Sequence, residues 1–249
     1  MSPVDLFFIL AGPFIGSFIG LLAFRWPEGE PWLAKRSACR NCATTLRWFE
    51  LVPVISWIAL RGRCRSCGAT ISAFYAACEI LALAVPVTAY LFAPEGTYIL
   101  SCLMGWTLLA LAAIDWRSFI LPDGLNLLLA ALGGGMIVLH ARSVWPEHLI
   151  GGLAGFGLLF LVETFYRQTR GREGLGRGDA KLLGALGLWT GWMQLPDILL
   201  IASLSGLAAA LAASMLSKER LSGSTALAFG PWLALAGWIS WLSGPLLVP

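Results

Sequence analysis

Residues 96–117 read GTYILSCLMGWTLLALAAIDWR, an uncharged run that ends abruptly in Asp115, Trp116 and Arg117. A helix needs roughly 20 predominantly apolar residues to cross the hydrocarbon core of a bilayer, so this run is long enough to span a membrane. Its carboxylate and guanidinium would then lie where the helix meets the polar surface. The stretch therefore predicts a membrane-spanning helix whose polar chemistry is confined to one end.

The rest of the chain repeats this pattern. Hydrophobic residues make up 58% of the sequence and charged residues 12%, whereas a soluble domain carries about 25% charged residues. The candidate spans are residues 6–24, 66–94, 96–114, 124–141, 148–166, 180–196, 198–217 and 221–249. We therefore predict an all-α integral membrane protein with eight transmembrane helices. Residues 1–24 are interpreted as the first of these and not as a cleaved signal peptide, because no positive charge precedes the apolar run.

The positive charges indicate how the chain is oriented. With eight spans, every one of the 17 Lys and Arg residues except Arg142 lies on the same side of the membrane. Cytoplasmic loops carry an excess of these residues, so that side is predicted to be the cytoplasm. The arginines between residues 167 and 177 are interpreted as part of this topology signal. Contact with anionic lipid head groups is the alternative.

Residues 25–72 form the one long polar segment, and they contain the motifs CRNC at 39–42 and CRSC at 64–67. Two such turns offer four thiolates to one tetrahedral Zn²⁺, and the ion stabilises a segment too short for a hydrophobic core. A reducing cytoplasm argues against disulfides, and a redox dithiol needs only one such motif. An apolar run at 48–57 favours packing on the membrane over nucleic-acid binding. The predicted ligands of structural zinc are Cys39, Cys42, Cys64 and Cys67.

Three aspartates lie at the predicted cytoplasmic ends of spans. Asp115 ends one span, Asp123 follows Leu-Pro at the start of the next, and Asp179 belongs to GLGRGDAK at 174–181. Two carboxylates held a few Å apart do not both ionise, so such a pair can activate a water while protonating a leaving group. Asp123 is interpreted as a helix cap, and Asp179 is also compatible with a capping role. Asp115 lies where the helix dipole disfavours an anion, so its presence indicates a function.

Two glutamates lie inside predicted spans. Glu79 and Glu163 both occupy the cytoplasmic half of an apolar segment. Ionisable residues within a membrane usually pair with one another or mark a functional site. For both glutamates we favour a structural contact, and a polar contact near the aspartates is the alternative.

Taken together, these motifs resemble those of the bacterial type IV prepilin peptidases over nearly the whole chain. The matching segments are GSF at 16–18, the cysteine motifs with PVISW at 53–57, LPD at 121–123, GRGDAKLL at 176–183 and FGP at 229–231. The resemblance implies an aspartic endopeptidase that cleaves the basic leader of prepilins or type II secretion pseudopilins after a glycine. It also implies that Asp115 and Asp179 are the catalytic pair.

The resemblance carries further expectations for cofactor and organisation. Many members of the family methylate the new N-terminal amine with S-adenosylmethionine, which implies the same second reaction here. We expect a first transmembrane helix at 1–24, a cytoplasmic double-CxxC zinc domain at 25–72 and a seven-helix transmembrane peptidase domain at 73–249. The expected location is the bacterial inner membrane, with the zinc domain and active site on the cytoplasmic side. The expected partners are pilin-type substrates and membrane lipids, without nucleic acid.

Two other classes of protein remain open at this point. An intramembrane protease of the presenilin type also carries a GxGD motif, but it is expected to lack the double-CxxC insert. A non-enzymatic polytopic transporter or assembly protein would place its ionisable residues nearer the bilayer midplane, facing a cavity. The sequence instead gathers them at one face.

Overall fold

The computed structural model describes residues 1–31, 36–171, 176–217 and 227–246. Within these ranges the regular secondary structure is helical, apart from two isolated β-bridges. The all-α prediction is therefore confirmed for the described residues. Several residues that belong to the count of Lys and Arg or to the GLGRGDAK motif lie outside these ranges, namely Lys35, Arg172, Gly174, Leu175, Lys218 and Arg220.

The chain divides into two compact units, residues 1–91 and residues 92–249. The helices of the first unit are α1 (Pro3–Arg25), the short α2 (Ile55–Ala59) and α3 (Ala73–Phe92). A single 3₁₀ turn, Trp48–Leu51, precedes α2. The two long helices of this unit bracket the polar insert that carries the cysteines.

Glycines allow α1 to lie directly against α3. A Cβ atom on Gly12 would lie 2.8 Å from the carbonyl oxygen of Ala82, and one on Gly16 would lie 2.5 Å from that of Cys78. Neither position has room for a side chain. Small residues spaced four apart are the usual means by which membrane helices bring their backbones close together. This packing fixes the end of α1 from which the insert begins.

The second unit contains six helices within its described residues. They are α4 (Tyr98–Ser118), α5 (Asp123–His140), α6 (Trp145–Arg170), α7 (Arg177–Thr190), α8 (Leu195–Ser217) and α9 (Gly230–Ser243). Helix α7 lies at the centre, where it packs against α5, α6 and α9, while α4 and α8 both pack on α9. The indole N–H of the fully buried Trp189 donates to the carbonyl oxygen of Leu129 at 2.9 Å, which joins α7 to α5.

Six helical segments of the described chain are long and apolar enough to cross a membrane. They are α1, α3, α4, α5, α6 and the segment Trp192–Leu216, which contains most of α8. Helices α7 and α9 have 14 residues each. At 1.5 Å per residue each is about 21 Å long, shorter than the hydrocarbon core of about 30 Å. The prediction of eight spans therefore has six supporting segments, and the other two stay a prediction.

Candidate active site and candidate metal centre

Asp115 lies in the last full turn of α4, and only 5% of the residue is exposed. Its Oδ2 atom accepts the backbone N–H of Gly230 at 3.0 Å. Gly230 is the first residue of α9, and an N–H in the first turn of a helix has no partner within that helix. The carboxylate therefore lies at the positive end of the α9 dipole. This contact offsets the unfavourable position of an anion at the end of α4.

Asp179 lies in the first turn of α7, and 7% of the residue is exposed. Its Oδ2 atom accepts the backbone N–H of Gly176 at 3.2 Å, so the side chain reaches back over the start of its own helix. The glycine that precedes Asp179 and the glycine whose N–H binds Asp115 both lie against Leu121. The structure thus brings together two residues that the sequence separates by two intervening helices.

Leu121 and two glycines pack closely together beside these carboxylates. A Cβ atom on Gly230 would lie 2.7 Å from Oδ2 of Asp115 and 3.0 Å from Cδ2 of Leu121. A Cβ atom on Gly178 would lie 2.7 Å from Cβ of Leu121. The two positions must therefore be glycine if α7 and α9 are to approach Leu121 this closely. The sequence marked the FGP and GRGD motifs, but it did not indicate that their glycines meet the same leucine.

Asp123 does not belong to this pair. It lies in the first turn of α5, whose N-cap residue is Pro122, and it makes no capping hydrogen bond. The interpretation of Asp123 as a helix cap is therefore wrong. Its Oδ1 atom instead accepts from Nζ of Lys181 at 2.5 Å, and 76% of its side chain is exposed. Asp123 thus forms a surface ion pair between α5 and α7.

The arrangement of Asp115 and Asp179 suits general acid–base catalysis. Two neighbouring carboxylates in a buried site disfavour double ionisation, so one of them keeps a proton. The ionised partner is then a base and the protonated partner an acid, as in aspartic proteases. Each carboxylate has one oxygen held by a backbone N–H, on Gly230 or Gly176. Both groups are therefore oriented before a substrate binds.

The four cysteines of the insert form a separate cluster in the first unit. Their Sγ atoms all lie within 4.8 Å of one another. The Sγ atoms of Cys39 and Cys67 are 3.8 Å apart, and those of Cys42 and Cys64 are 4.0 Å apart. A tetrahedral zinc ion with Zn–S bonds of about 2.3 Å requires sulfurs about 3.8 Å apart. The four thiols can therefore hold a metal ion, and their spacing fits zinc.

Two similar turns position these sulfurs. In the first turn the N–H of Cys39 donates to Thr44 and the N–H of Ala43 donates to Cys39, both at 2.9 Å. The second turn repeats both bonds around Cys64, with Gly68 in the place of Ala43. Both Ala43 and Gly68 have positive φ, at 57° and 71°. Glycine adopts this conformation without strain, which explains why it follows the second pair.

The turns also favour the thiolate form of two cysteines. Hydrogen bonding with Thr44, chiefly through its hydroxyl 3.3 Å away, lowers the pKa of the Cys42 thiol to about 6. The backbone N–H groups of Cys67 and Ser66 lower the pKa of the Cys64 thiol. Because the thiolate is the form that binds a metal, the local hydrogen bonds prepare these two ligands.

Glu79 connects the insert to α3 in a way that the sequence did not specify. The residue is 6% exposed, and its Oε2 atom accepts the backbone N–H of Val54 at 2.6 Å. Val54 has φ 61° and ψ −51°, and the N–H of Ile55 donates to Pro53 across it. This is a classic γ-turn, which is rare and strained, above all at a β-branched residue. Glu79 therefore makes the structural contact favoured for it, by holding a strained turn of the insert.

Comparison with protein families finds a match in each half of the chain. Residues 10–93 match the bacterial peptidase A24 N-terminal domain, and residues 102–211 match the type IV leader peptidase family. The first match contains the cysteine cluster, and the second contains Asp115 and Asp179. No solved structure matches the chain significantly.

Curated relatives extend the similarity over most of the chain. The prepilin leader peptidase/N-methyltransferase of Dickeya chrysanthemi is 39% identical, in an alignment that covers 92% of this chain and 89% of the relative. The protein of the same name from Burkholderia pseudomallei is 37% identical, with 93% and 82% covered. That of Pseudomonas aeruginosa is 35% identical, with 95% and 89% covered. The chain belongs to the type IV leader peptidase family and is an integral membrane protein.

Proposed function

We propose that this chain is an aspartic endopeptidase that removes the basic leader of type IV prepilins or type II secretion pseudopilins. The cut follows a glycine and lies at the cytoplasmic face of the bacterial inner membrane. The observation that carries the proposal is the pair of buried carboxylates, Asp115 and Asp179, whose neighbouring glycines Gly230 and Gly178 lie against the same Leu121. Relatives that align over nearly the whole chain bear the name prepilin leader peptidase/N-methyltransferase.

In this mechanism Asp115 and Asp179 share one proton. The ionised carboxylate removes a proton from a water molecule, whose oxygen attacks the carbonyl carbon of the leader glycine. The protonated carboxylate then gives its proton to the departing nitrogen, which becomes the new N-terminal amine. The N–H groups of Gly230 and Gly176 hold one oxygen of each carboxylate. The other two oxygens are thereby available to the water and the leaving group.

A second reaction follows from the names of the relatives, which include N-methyltransferase. We propose that the chain methylates the amine released by cleavage, with S-adenosylmethionine as the donor of the methyl group. The two reactions would act on the same atom in turn, because the nitrogen protonated during cleavage becomes the acceptor of the methyl group.

The metal at the cysteine cluster is proposed to be structural zinc. Cys39, Cys42, Cys64 and Cys67 would supply four thiolates, which fill a tetrahedral shell and leave no position for a substrate. The ion would therefore stabilise the turns of the insert instead of taking part in cleavage. The proposed division of the chain is a first transmembrane helix at 1–24, this zinc domain at 25–72 and the peptidase domain at 73–249.

The orientation in the membrane is also a proposal. Eight spans, with α7 and α9 as the two short ones, place the insert and both aspartates on the side that carries all Lys and Arg residues except Arg142. The positive-inside rule makes that side the cytoplasm. A basic leader that ends where the bilayer begins would then present its last glycine at the depth of the two carboxylates.

Incubation of the purified protein with a prepilin peptide and S-adenosylmethionine tests the proposal by mass spectrometry. The peptide contains a basic leader, a glycine and the apolar segment that follows. We expect a product that lacks the leader and carries one added methyl group. A matched peptide with valine in place of the glycine should remain intact. Cleavage within the apolar segment that ignores the glycine would support the presenilin type instead, and no cleavage would contradict the proposal.

A further inference from the structure

A third buried carboxylate of the second unit lies on α6. Glu163 is 2% exposed, although its helix is long and apolar enough to span a membrane. A buried carboxylate needs paired charge or hydrogen bonds to offset the loss of water. Here Nε of Arg167 lies 3.6 Å from its Oε1 atom and Nε of Arg177 lies 3.8 Å from its Oε2 atom. The hydroxyl of Thr164 adds a hydrogen bond to Oε2 at 3.3 Å.

The two arginines differ in what they connect. Arg167 follows Glu163 by one turn of the same helix, so this contact is local to α6. Arg177 is the first residue of α7, so the second contact crosses from one helix to the next. The carboxylate thereby ties the start of α7 to the body of α6.

The first turn of α7 has few other side chains with which to hold its position, and the ion pair that follows it, between Lys181 and Asp123, is exposed. Arg177 stands between Gly176 and Gly178, neither of which has a side chain to pack. Gly178 lies against Leu121 with no clearance, which limits movement in that direction. Asp179 follows at once and is bonded back to the N–H of Gly176. A shift of this first turn would therefore carry the Asp179 carboxylate with it.

We propose that Glu163 is a positioning residue for the peptidase reaction, which acts through Arg177 to hold the first turn of α7 and with it Asp179. The inference rests on the proposed function, because it takes Asp179 to be a catalytic residue. A displacement of about 1 Å in a reacting group costs a rate factor of roughly 100. The loss should appear in kcat, whereas KM for the leader should change little, because a carboxylate that is 2% exposed is not open to a substrate.

Four variants test the role of Glu163 with the same prepilin peptide. Glu163→Gln and Arg177→Gln should each lower kcat roughly 10- to 100-fold, with KM within about threefold of the wild type. Arg167→Gln is the matched control, because it removes the other positive charge beside Glu163 without changing a residue of α7. Its kcat should stay within about threefold of the wild type. Glu163→Asp keeps the charge and should recover much of the kcat that Glu163→Gln loses.

Three results would overturn the inference while leaving the proposed function intact. They are wild-type kcat in Glu163→Gln, equal losses in Arg167→Gln and Arg177→Gln, and an effect confined to KM. Failure of the wild-type protein to cleave would overturn the proposed function itself. Arg177→Gln guards against misfolding, since 56% of the Arg177 side chain is exposed and its truncation opens no buried cavity. Elution as a single species in size exclusion shows that each variant is not aggregated, and a thermal unfolding midpoint near that of the wild type shows that it is folded.

Discussion

The cysteine cluster and the aspartate pair are assembled in opposite ways. Each half of the cysteine cluster is a short turn closed by its own backbone hydrogen bonds, and the same pattern occurs twice. The aspartate pair requires the end of α4, the start of α7 and the start of α9 to meet around one leucine. The difference shows that a metal site can form within one short segment, whereas the carboxylate pair depends on the packing of helices that are distant in the sequence. Substitutions far from Asp115 and Asp179 in the sequence should therefore disrupt the pair without affecting the cysteines.

Gly230→Val is expected to have the largest effect of these substitutions. A Cβ atom at this position would meet Oδ2 of Asp115 at 2.7 Å, so the added side chain must displace the carboxylate or α9. Cleavage of the prepilin peptide should fall by at least roughly 100-fold, while the bound metal is retained. Gly134→Val is the matched control, because a Cβ atom there meets nothing within 4 Å. Wild-type cleavage by Gly230→Val would contradict the packing argument.

Cys64→Ser tests the other region. Loss of one thiolate from a four-thiolate site should reduce bound zinc from about one ion per chain to almost none. Elemental analysis of the purified protein measures this directly. Cys102→Ser provides the comparison, since this buried cysteine lies outside the cluster and its variant should keep the metal. A full equivalent of zinc in Cys64→Ser would refute the four-cysteine site.

Glu79→Ala should weaken the attachment of the insert to α3. It removes a hydrogen bond from the strained Val54 turn to a buried carboxylate, and bonds to charged groups contribute about 2 kcal/mol. The expected result is a lower midpoint of thermal unfolding and faster proteolysis within residues 36–72. Glu95→Ala, at an exposed position, should change neither quantity. Equal behaviour of the two variants would show that Glu79 does not hold the turn.

Asp123→Ala should have the smallest effect. The exposed ion pair between Asp123 and Lys181 is expected to contribute less than about 1 kcal/mol. Cleavage should stay within about threefold of the wild type, and the thermal midpoint should hardly move. A loss of cleavage as severe as that of an Asp115 variant would place Asp123 in the catalytic pair instead.

The sequence predicted the features that depend on local patterns of residues. Apolar runs indicated the helices that are long enough to span a membrane, and the CxxC spacing indicated the cysteine cluster. Contacts between residues that are distant in the sequence follow no local pattern, so the sequence did not predict them. The γ-turn at Val54 contains no glycine that would have indicated it. The partner of Asp115 is a backbone N–H, which every residue except proline has. The lengths of α7 and α9 also depart from the predicted spans, because helix ends are set by packing as well as by hydrophobicity.

The catalytic pair can be tested most directly with Asp115→Asn and Asp179→Asn, measured on two substrates by mass spectrometry. One substrate is the intact prepilin peptide, and the other is the same peptide already lacking its leader. Each variant should lose cleavage by at least roughly 1,000-fold, because a general acid or base contributes factors of this order. Each should still methylate the pre-cleaved peptide, which shows that the protein is folded. Wild-type cleavage by either variant would contradict the account.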